Sequence, residues 1–296
     1  MNKIIFPLMI ISAASCYGIL STIIKVAMQR GFTATEAVSS QYIVGCFLAL
    51  LLFLWKERNL PALSRDSIIL LTLTGTFTAT TGIVYGQSLN YLPASLAVVL
   101  LFQFTWIGVL LNCIIQKRLP SQMEFMSSIT LLVGTVLAAG VLDADLSTIA
   151  WQGWLFGLLA AVSFACFIQV NARQTSQLST ITRTFLVSCV AVIIISLTLN
   201  PEIIWNGQLF EAGLWKFGIL LGLFGTILPI FLFAIAVPKV GGGLASILSA
   251  AELPVAICAS IIVLNEQMTL LQVVGIVIIL FAMILPSRNA KISTNN

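Results

Sequence analysis

Ten stretches of this chain are each apolar over the roughly 20 residues that a helix needs to cross the hydrocarbon core of a bilayer. They run over 4–28, 35–55, 67–88, 93–115, 122–142, 150–171, 180–199, 213–236, 242–264 and 268–286. The connections between them are short and carry turn or cap signals such as Arg30-Gly31, Leu119-Pro120-Ser121, Asn200-Pro201 and Gly241-Gly242-Gly243. Of all residues 59% are hydrophobic and 8% are charged, whereas a soluble domain carries about a quarter charged residues. Such a chain cannot clothe a globular surface in polar groups, so membrane lipid has to be its solvent. The expectation is an all-α integral membrane protein of ten transmembrane helices. The first stretch is read as an uncleaved helix, because its apolar pattern runs past the small residues at 12–16 as far as Ala27.

Orientation follows from where lysine and arginine fall. With ten spans both termini lie on one side. That side holds Lys3, Lys56, Arg58, Arg65, Lys117, Arg118, Arg173, Arg183, Lys239, Arg288 and Lys291, eleven in all. The other holds three: Lys25, Arg30 and Lys216. The basic side is assigned to the cytoplasm, and the expected setting is the plasma (inner) membrane of a prokaryote. The net charge of +4 is therefore a matter of topology. It gathers in no basic patch of the kind that binds nucleic acid. The six cysteines all fall in apolar segments without CxxC spacing, and are read as small buried apolar residues with no disulfide framework and no metal site.

Sliding the chain on itself by 148 residues sets LAVVLLFQFTWIGVLLNCIIQKRLPSQME (96–124) against LASILSAAELPVAICASIIVLNEQMTLLQ (244–272). The turns coincide, Lys117-Arg118 with Asn265-Glu266. Each half, 1–145 and 146–296, holds five spans. An odd number forces the second half into the membrane the other way up, so the repeat is expected to be inverted, as in many secondary transporters. With Glu252 and Pro254, then Asn265-Glu266, then Gln272 and Gly275, the chain resembles the EamA type of the drug/metabolite transporter superfamily. The resemblance covers essentially the whole chain. Two places depart from the family pattern: Ser40-Gln41-Tyr42 stands where members often have Leu-Arg-Phe, and Leu253 splits the Glu-Pro pair. The resemblance implies transport of amino acids, related metabolites, nucleotide-sugars or drugs, often outward.

A transporter needs a polar path through an apolar body, so polar residues inside spans are the first candidates. Glu252 is the only acid near the middle of any span. A charged carboxylate at helix centre costs roughly 2.5–3.5 kcal/mol, so burial favours the neutral acid. Three roles stay open for Glu252: proton carrier, cargo ligand and structural hydrogen-bond donor. Pro254 lacks an N–H and predicts a helix break beside it, and Ser249 lies one turn earlier on the same face. On the fourth span Gln103 and Trp106 share a face next to Phe104, the repeat counterpart of Glu252. Thr78, Thr81 and Tyr85 belong to the hydroxyl stripe of the third span. Tyr17 and Phe164 are aromatics near mid-span, 147 residues apart. Each has a bland alternative in packing.

The chain has no histidine, and Asp66, Asp143 and Asp145 all fall outside the ten apolar stretches and are expected in loops. Histidine-based intramembrane proteases and aspartyl pairs are therefore excluded, as is ATP hydrolysis through a GxxxxGK[ST] loop. The expected function is secondary transport of a small organic solute by alternating access, with proton coupling left open and no cofactor. The competing reading is a membrane scaffold or sensor. The expected partners are the solute, a proton in the coupled case, and lipid; the chain is read as a monomer or a homodimer.

Overall fold

The structure is a computed structural model that describes residues 2–88, 90–92, 94–140, 150–173, 178–199, 202–264 and 269–287. Among the described residues every regular element is helical. The first half holds α1 (Asn2–Gln29), α2 (Ala34–Lys56), α3 (Arg65–Ser88), a fourth span broken into α4 (Ala94–Leu101) and α5 (Phe104–Ile115), and α6 (Gln122–Ala138). The second half begins with α7 (Trp151–Asn171) and α8 (Thr180–Leu199). Its eighth span is α9 (Trp215–Gly222), a π-helical turn at Leu223–Ile227, and α10 (Leu228–Val240). Its ninth is α11 (Gly242–Leu248), a 3-10 turn at Ser249–Ala251, and α12 (Glu252–Leu264), and α13 (Leu270–Ser287) closes the order.

Eight of these helical spans are long and apolar enough to cross a bilayer, and Gln122–Ala138 and Leu270–Leu285 are shorter apolar helices. The fifth span stops before the expected residue 142 because Gly140 takes φ +65°, a left-handed conformation that ends a helix. Asn265-Glu266, Asp143 and Asp145 lie outside the described residues. Two starts follow sequence signals. Thr33 caps α2 and Ser121 caps α6, each exchanging hydrogen bonds with a glutamate three residues on, Glu36 and Glu124.

The helices pack in a definite set of pairs. The broadest seam joins α6 to α13. Next come α3 with α7, α1 with α10, α2 with α9, α3 with α8, and α1 with α12, and α7 carries α4 and α5 along its flank. Two further seams are α2 with α8 and α5 with α11. At one end of the bundle Glu57, just after α2, accepts hydrogen bonds from the Ser179 and Thr182 hydroxyls at the start of α8. At the same end Ser127 of α6 donates to the Ala282 carbonyl of α13 at 2.7 Å. The sequence order carries Lys56, Arg58, Arg65, Lys117, Arg118, Arg173, Arg183 and Lys239 to this end.

Lipid removes the hydrophobic drive between helices, so close approach has to come from small residues. The Gly218-x-x-x-Gly222 pair lies against Val44 and Gly45 of α2, and Gly153-x-x-x-Gly157 lies against Leu92 and Leu100. In a third pair, Gly82-x-x-x-Gly86 of α3, Gly82 meets Tyr42 but nothing stands opposite Gly86, so only Gly82 makes a packing contact. The cysteine reading also needs correction. Cys113 is buried, Cys258 is exposed and the other four are half-buried, because an apolar segment of a membrane helix has a lipid face as well as a core face.

A Cβ placed on Gly222 would stand 2.7 Å from the Gly45 nitrogen. Gly222→Leu should therefore lower the thermal unfolding midpoint of the purified protein, by an overpacking cost of about 1–3 kcal/mol. Gly86→Ala should leave it unchanged or raise it, since alanine favours a helix by about 1 kcal/mol over glycine.

Candidate functional site

The ninth span is interrupted just before Glu252. Residues Ser249–Ala251 tighten into a 3-10 turn, and α12 restarts at Glu252. Pro254 falls in the first turn of α12, where backbone N–H groups have no partner within the helix and proline loses nothing. Gly18 of α1 lies so close to this restart that an added Cβ would meet the Glu252 carbonyl oxygen and the Ala256 nitrogen. Absence of a side chain at residue 18 thus lets α1 and α12 touch at the level of the carboxyl.

Glu252, Tyr17 and Tyr85 sit deep among protein atoms, yet each keeps accessible surface, which places them on the wall of an internal space. The Glu252 carboxyl lies within electrostatic reach of both tyrosine hydroxyls. Neither α3 nor α4 packs along α1 or α12; α3 leans on α7 and α8 instead. Tyr85 of α3 and Glu252 of α12 therefore face a common cleft from opposite sides. Next to Tyr85, the α3 surface at Gly86 meets open space. Tyr17 Oη is buried and makes no hydrogen bond of good geometry with protein, although the Thr78 hydroxyl lies beside it. A buried hydroxyl left unpaired costs about 1–3 kcal/mol, so this group has a bond to offer to an occupant of the cleft.

The inner end of the cleft is floored by aromatic rings. Tyr17 meets Phe164 edge-on at 5.8 Å and stacks on Phe233 at 6.2 Å. Phe167 closes the circle, stacked on Phe164 at 5.7 Å and edge-on to Phe233 at 5.7 Å. Phe104 adds an edge contact to Phe164 at 4.7 Å. Rings from α1, α5, α7 and α10 thus fill the centre. Below them α5 and α11 cross where Gly108 receives Ser246, and Gln169 donates to the Gly108 carbonyl at 2.8 Å.

The remaining expected residues lie elsewhere or are already engaged. Ser249 is fully buried and donates to the Ala245 carbonyl at 2.8 Å. Thr81 donates to its own helix at Phe77, 2.7 Å away. Gln103 repairs the break in the fourth span. Its backbone N–H turns to the Leu100 carbonyl, and its side-chain amide takes over the Val99 carbonyl at 2.9 Å. Trp106 donates to the other end of that amide at 2.8 Å. It heads an exposed stripe continued by Leu110 and Ile114. The Gln103 and Trp106 side chains are thus engaged within the fourth span, and neither has a hydrogen bond to Glu252 among the described residues. A shared helical face fixes direction within a span and leaves the neighbour across it undetermined.

Sequence reasoning missed Tyr42 and Phe233. Tyr42 donates to the Thr78 carbonyl at 3.0 Å and packs against Gly82 behind the wall. It stands in the Ser40-Gln41-Tyr42 stretch that departs from the family pattern, which was the available signal. Adding the 148-residue offset to Tyr85 lands on Phe233. Gln41 has a separate task. Its amide donates at 3.2 Å to the Gly225 carbonyl inside the π-helical turn of the eighth span.

Two breaks thus carry their own glutamine. Gln41→Leu and Gln103→Leu should each leave a carbonyl unpaired at a cost of about 1–3 kcal/mol. Thermal unfolding followed by tryptophan fluorescence should show a lowered midpoint for both. An unchanged midpoint would mean that the carbonyl finds another donor.

Residues 151–288 match the EamA-like transporter family. No curated protein matches the chain at a significant level. A solved crystal structure, described only as that of a protein, superposes with a TM-score of 0.77 and covers 96% of this chain and 99% of its own. Identity over that alignment is 14%, so the likeness speaks for the fold alone. The terminal motifs, the helical membrane fold and the match over residues 151–288 agree in likening the chain to the EamA-like transporter family, in keeping with the drug/metabolite transporter superfamily.

Proposed function

We propose that this protein is a secondary transporter that exports small organic solutes, amino acids or related metabolites, by alternating access to the cleft at Glu252. The observation that carries the reading is the placement of the one mid-span acid on an accessible internal wall, within reach of two tyrosine hydroxyls, in a chain whose residues 151–288 match a transporter family. The cleft lies within one chain, so the proposal requires no partner subunit.

The proposed frame is a pair of inverted five-helix repeats, 1–145 and 146–296. Three offsets support it. Helices α4 and α11 begin at Ala94 and Gly242, α5 and α12 at Phe104 and Glu252, and α6 and α13 at Gln122 and Leu270. The residue numbers give 242 − 94, 252 − 104 and 270 − 122, each 148. The seams support it as well. Exchanging each span for its counterpart turns α3 on α7 into α10 on α1, and α2 on α9 into α8 on α3. It also turns α1 on α12 into α7 on α5. Seams α6–α13 and α2–α8 map onto themselves. Rocking of one repeat against the other would open the floor of rings and shut the present mouth.

In our reading the basic end faces the cytoplasm of a prokaryotic cell, both termini lie there, and the present cleft opens outward, the release side of an exporter. Glu252 carries the chemistry. As a neutral acid it costs little in the wall, and as a carboxylate it needs a cation. An ammonium group on the solute supplies one, and the Tyr17 and Tyr85 faces and hydroxyls suit an amine beside a carboxyl. A proton and an ammonium would then compete for one group, which couples their movements.

Purified protein in proteoliposomes, tested against a panel of radiolabelled amino acids and amines, should move at least one member faster than empty vesicles. For that solute Glu252→Gln should weaken binding about tenfold or more, since a charge-assisted hydrogen bond is worth about 1.5–3 kcal/mol. It should also flatten the pH dependence of transport. Transport of no panel member would favour the scaffold or sensor reading; unchanged affinity, rate and pH profile in the Gln variant would make Glu252 structural. For topology, Ser64→Cys and Asn206→Cys in a background without native cysteines should label oppositely. An impermeant maleimide added to intact cells should reach residue 206 and miss residue 64.

A further inference from the structure

The α2–α8 seam holds a feature that the transport reading does not use. Cys46 Sγ and Cys189 Sγ face one another across it at 3.8 Å, 143 residues apart in the chain. The seam is held on both sides of the pair. Phe53 stacks on Phe185 at 5.0 Å toward one end, and Tyr42 packs with Ala191 and Ile195 toward the other. Both cysteines are half-buried residues, and their neighbours Phe47 and Ile193 are exposed on the outside of the bundle, where lipid lies.

We infer that Cys46 and Cys189 form a reversible oxidation site within the membrane, a thiol pair that lipid-soluble hydroperoxides convert to a disulfide tying α2 to α8. The reaction balances without any further reagent. Either thiol attacks the peroxide, whose O–O bond breaks; one oxygen passes to sulfur as a sulfenic acid, and the other leaves as an alcohol with the thiol proton. The second thiol then attacks that sulfur. The S–O bond breaks, the S–S bond forms, and the hydroxyl leaves with the second thiol proton as water. Two sulfurs lose two electrons between them, and the peroxide gains two. A disulfide brings its sulfurs to about 2.05 Å, which here asks for side-chain rotation in a seam already closed by packing. Proximity selects this pair: Cys113 is buried, and Cys258 is exposed on α12.

The test uses the full chain in lipid vesicles with Cys258→Ser, so that crosslinks between molecules at that position do not intrude. Cumene hydroperoxide is the probe, followed by alkylation of free thiols, a non-reducing gel and peptide mass spectrometry. The expected result is a faster-migrating monomer, restored to normal mobility by dithiothreitol, in which the peptide carrying Cys46 is joined to the one carrying Cys189. Cys46→Ser and Cys189→Ser should each abolish that species while keeping the thermal midpoint of the parent. The inference is overturned if the oxidised chain contains no such joined peptide, if the two thiols pass separately to sulfonic acids, or if the compact species survives either serine change.

Discussion

Inside a bilayer no water is at hand to satisfy a backbone amide or carbonyl, and the rest of this structure depends on that constraint. It explains why the described chain is helical throughout, and it sharpens the meaning of the places where helices stop being regular. The fourth span breaks between α4 and α5, the eighth carries a π-helical turn, and the ninth a 3-10 turn. All three lie in the protein interior, where a freed carbonyl can be met. Gln103 meets the first and Gln41 the second. Hydroxyl side chains follow the same rule elsewhere: Ser15, Thr74, Thr135 and Ser188 each donate to a carbonyl of their own helix four residues earlier.

The same solvent removes the usual reason for helices to meet. Leucine gains nothing from leaving lipid for another leucine, so contacts form where backbones can approach and disperse surface against surface. Gly222 against Gly45 brings α2 to α9, Gly18 against Glu252 brings α1 to α12, and Gly275 against Ala138 brings α6 to α13. The site inherits its geometry from these seams. Glu252 sits beside Tyr17 because residue 18 is glycine, and the cleft exists because α3 is drawn toward α7 and α8 and away from α12.

Much of the fold was legible in the sequence, because a bilayer writes its thickness into runs of apolar residues. The helical membrane class, the turn at Leu119-Pro120-Ser121 and the clustering of basic residues in loops of one side could be read there. The π-helical turn could not, since Leu223–Ile227 is as apolar as its surroundings and the partner that makes it possible, Gln41, is distant in sequence. The site was legible in part. Glu252 announced itself as a charge without water, and Tyr17 and Tyr85 do stand within its reach. Gln103 carried an equally strong polar signal for a different reason, the repair of a broken helix. A polar residue in a span reports a local need for hydrogen bonding, and only the fold tells whether that need belongs to the backbone or to a guest.

That distinction bears on the two broken spans. Each restarts at the same offset, one at Phe104 and the other at Glu252. Phe104 is fully buried and joins the ring contacts of the floor. Glu252 keeps accessible surface and lies within electrostatic reach of Tyr17. On the proposed repeat, one half closes the middle of the membrane with a phenyl ring at the place where the other presents a carboxyl group. A second acid in place of Phe104 would set two carboxyls in one apolar centre and raise the cost of ionising either. A second ring in place of Glu252 would leave a sealed bundle with nothing to grip a solute. On that proposal the asymmetry would let a single titratable group respond alone to a solute in the cleft, while the remainder of the two halves stayed alike enough to exchange roles as the floor and the mouth opened in turn.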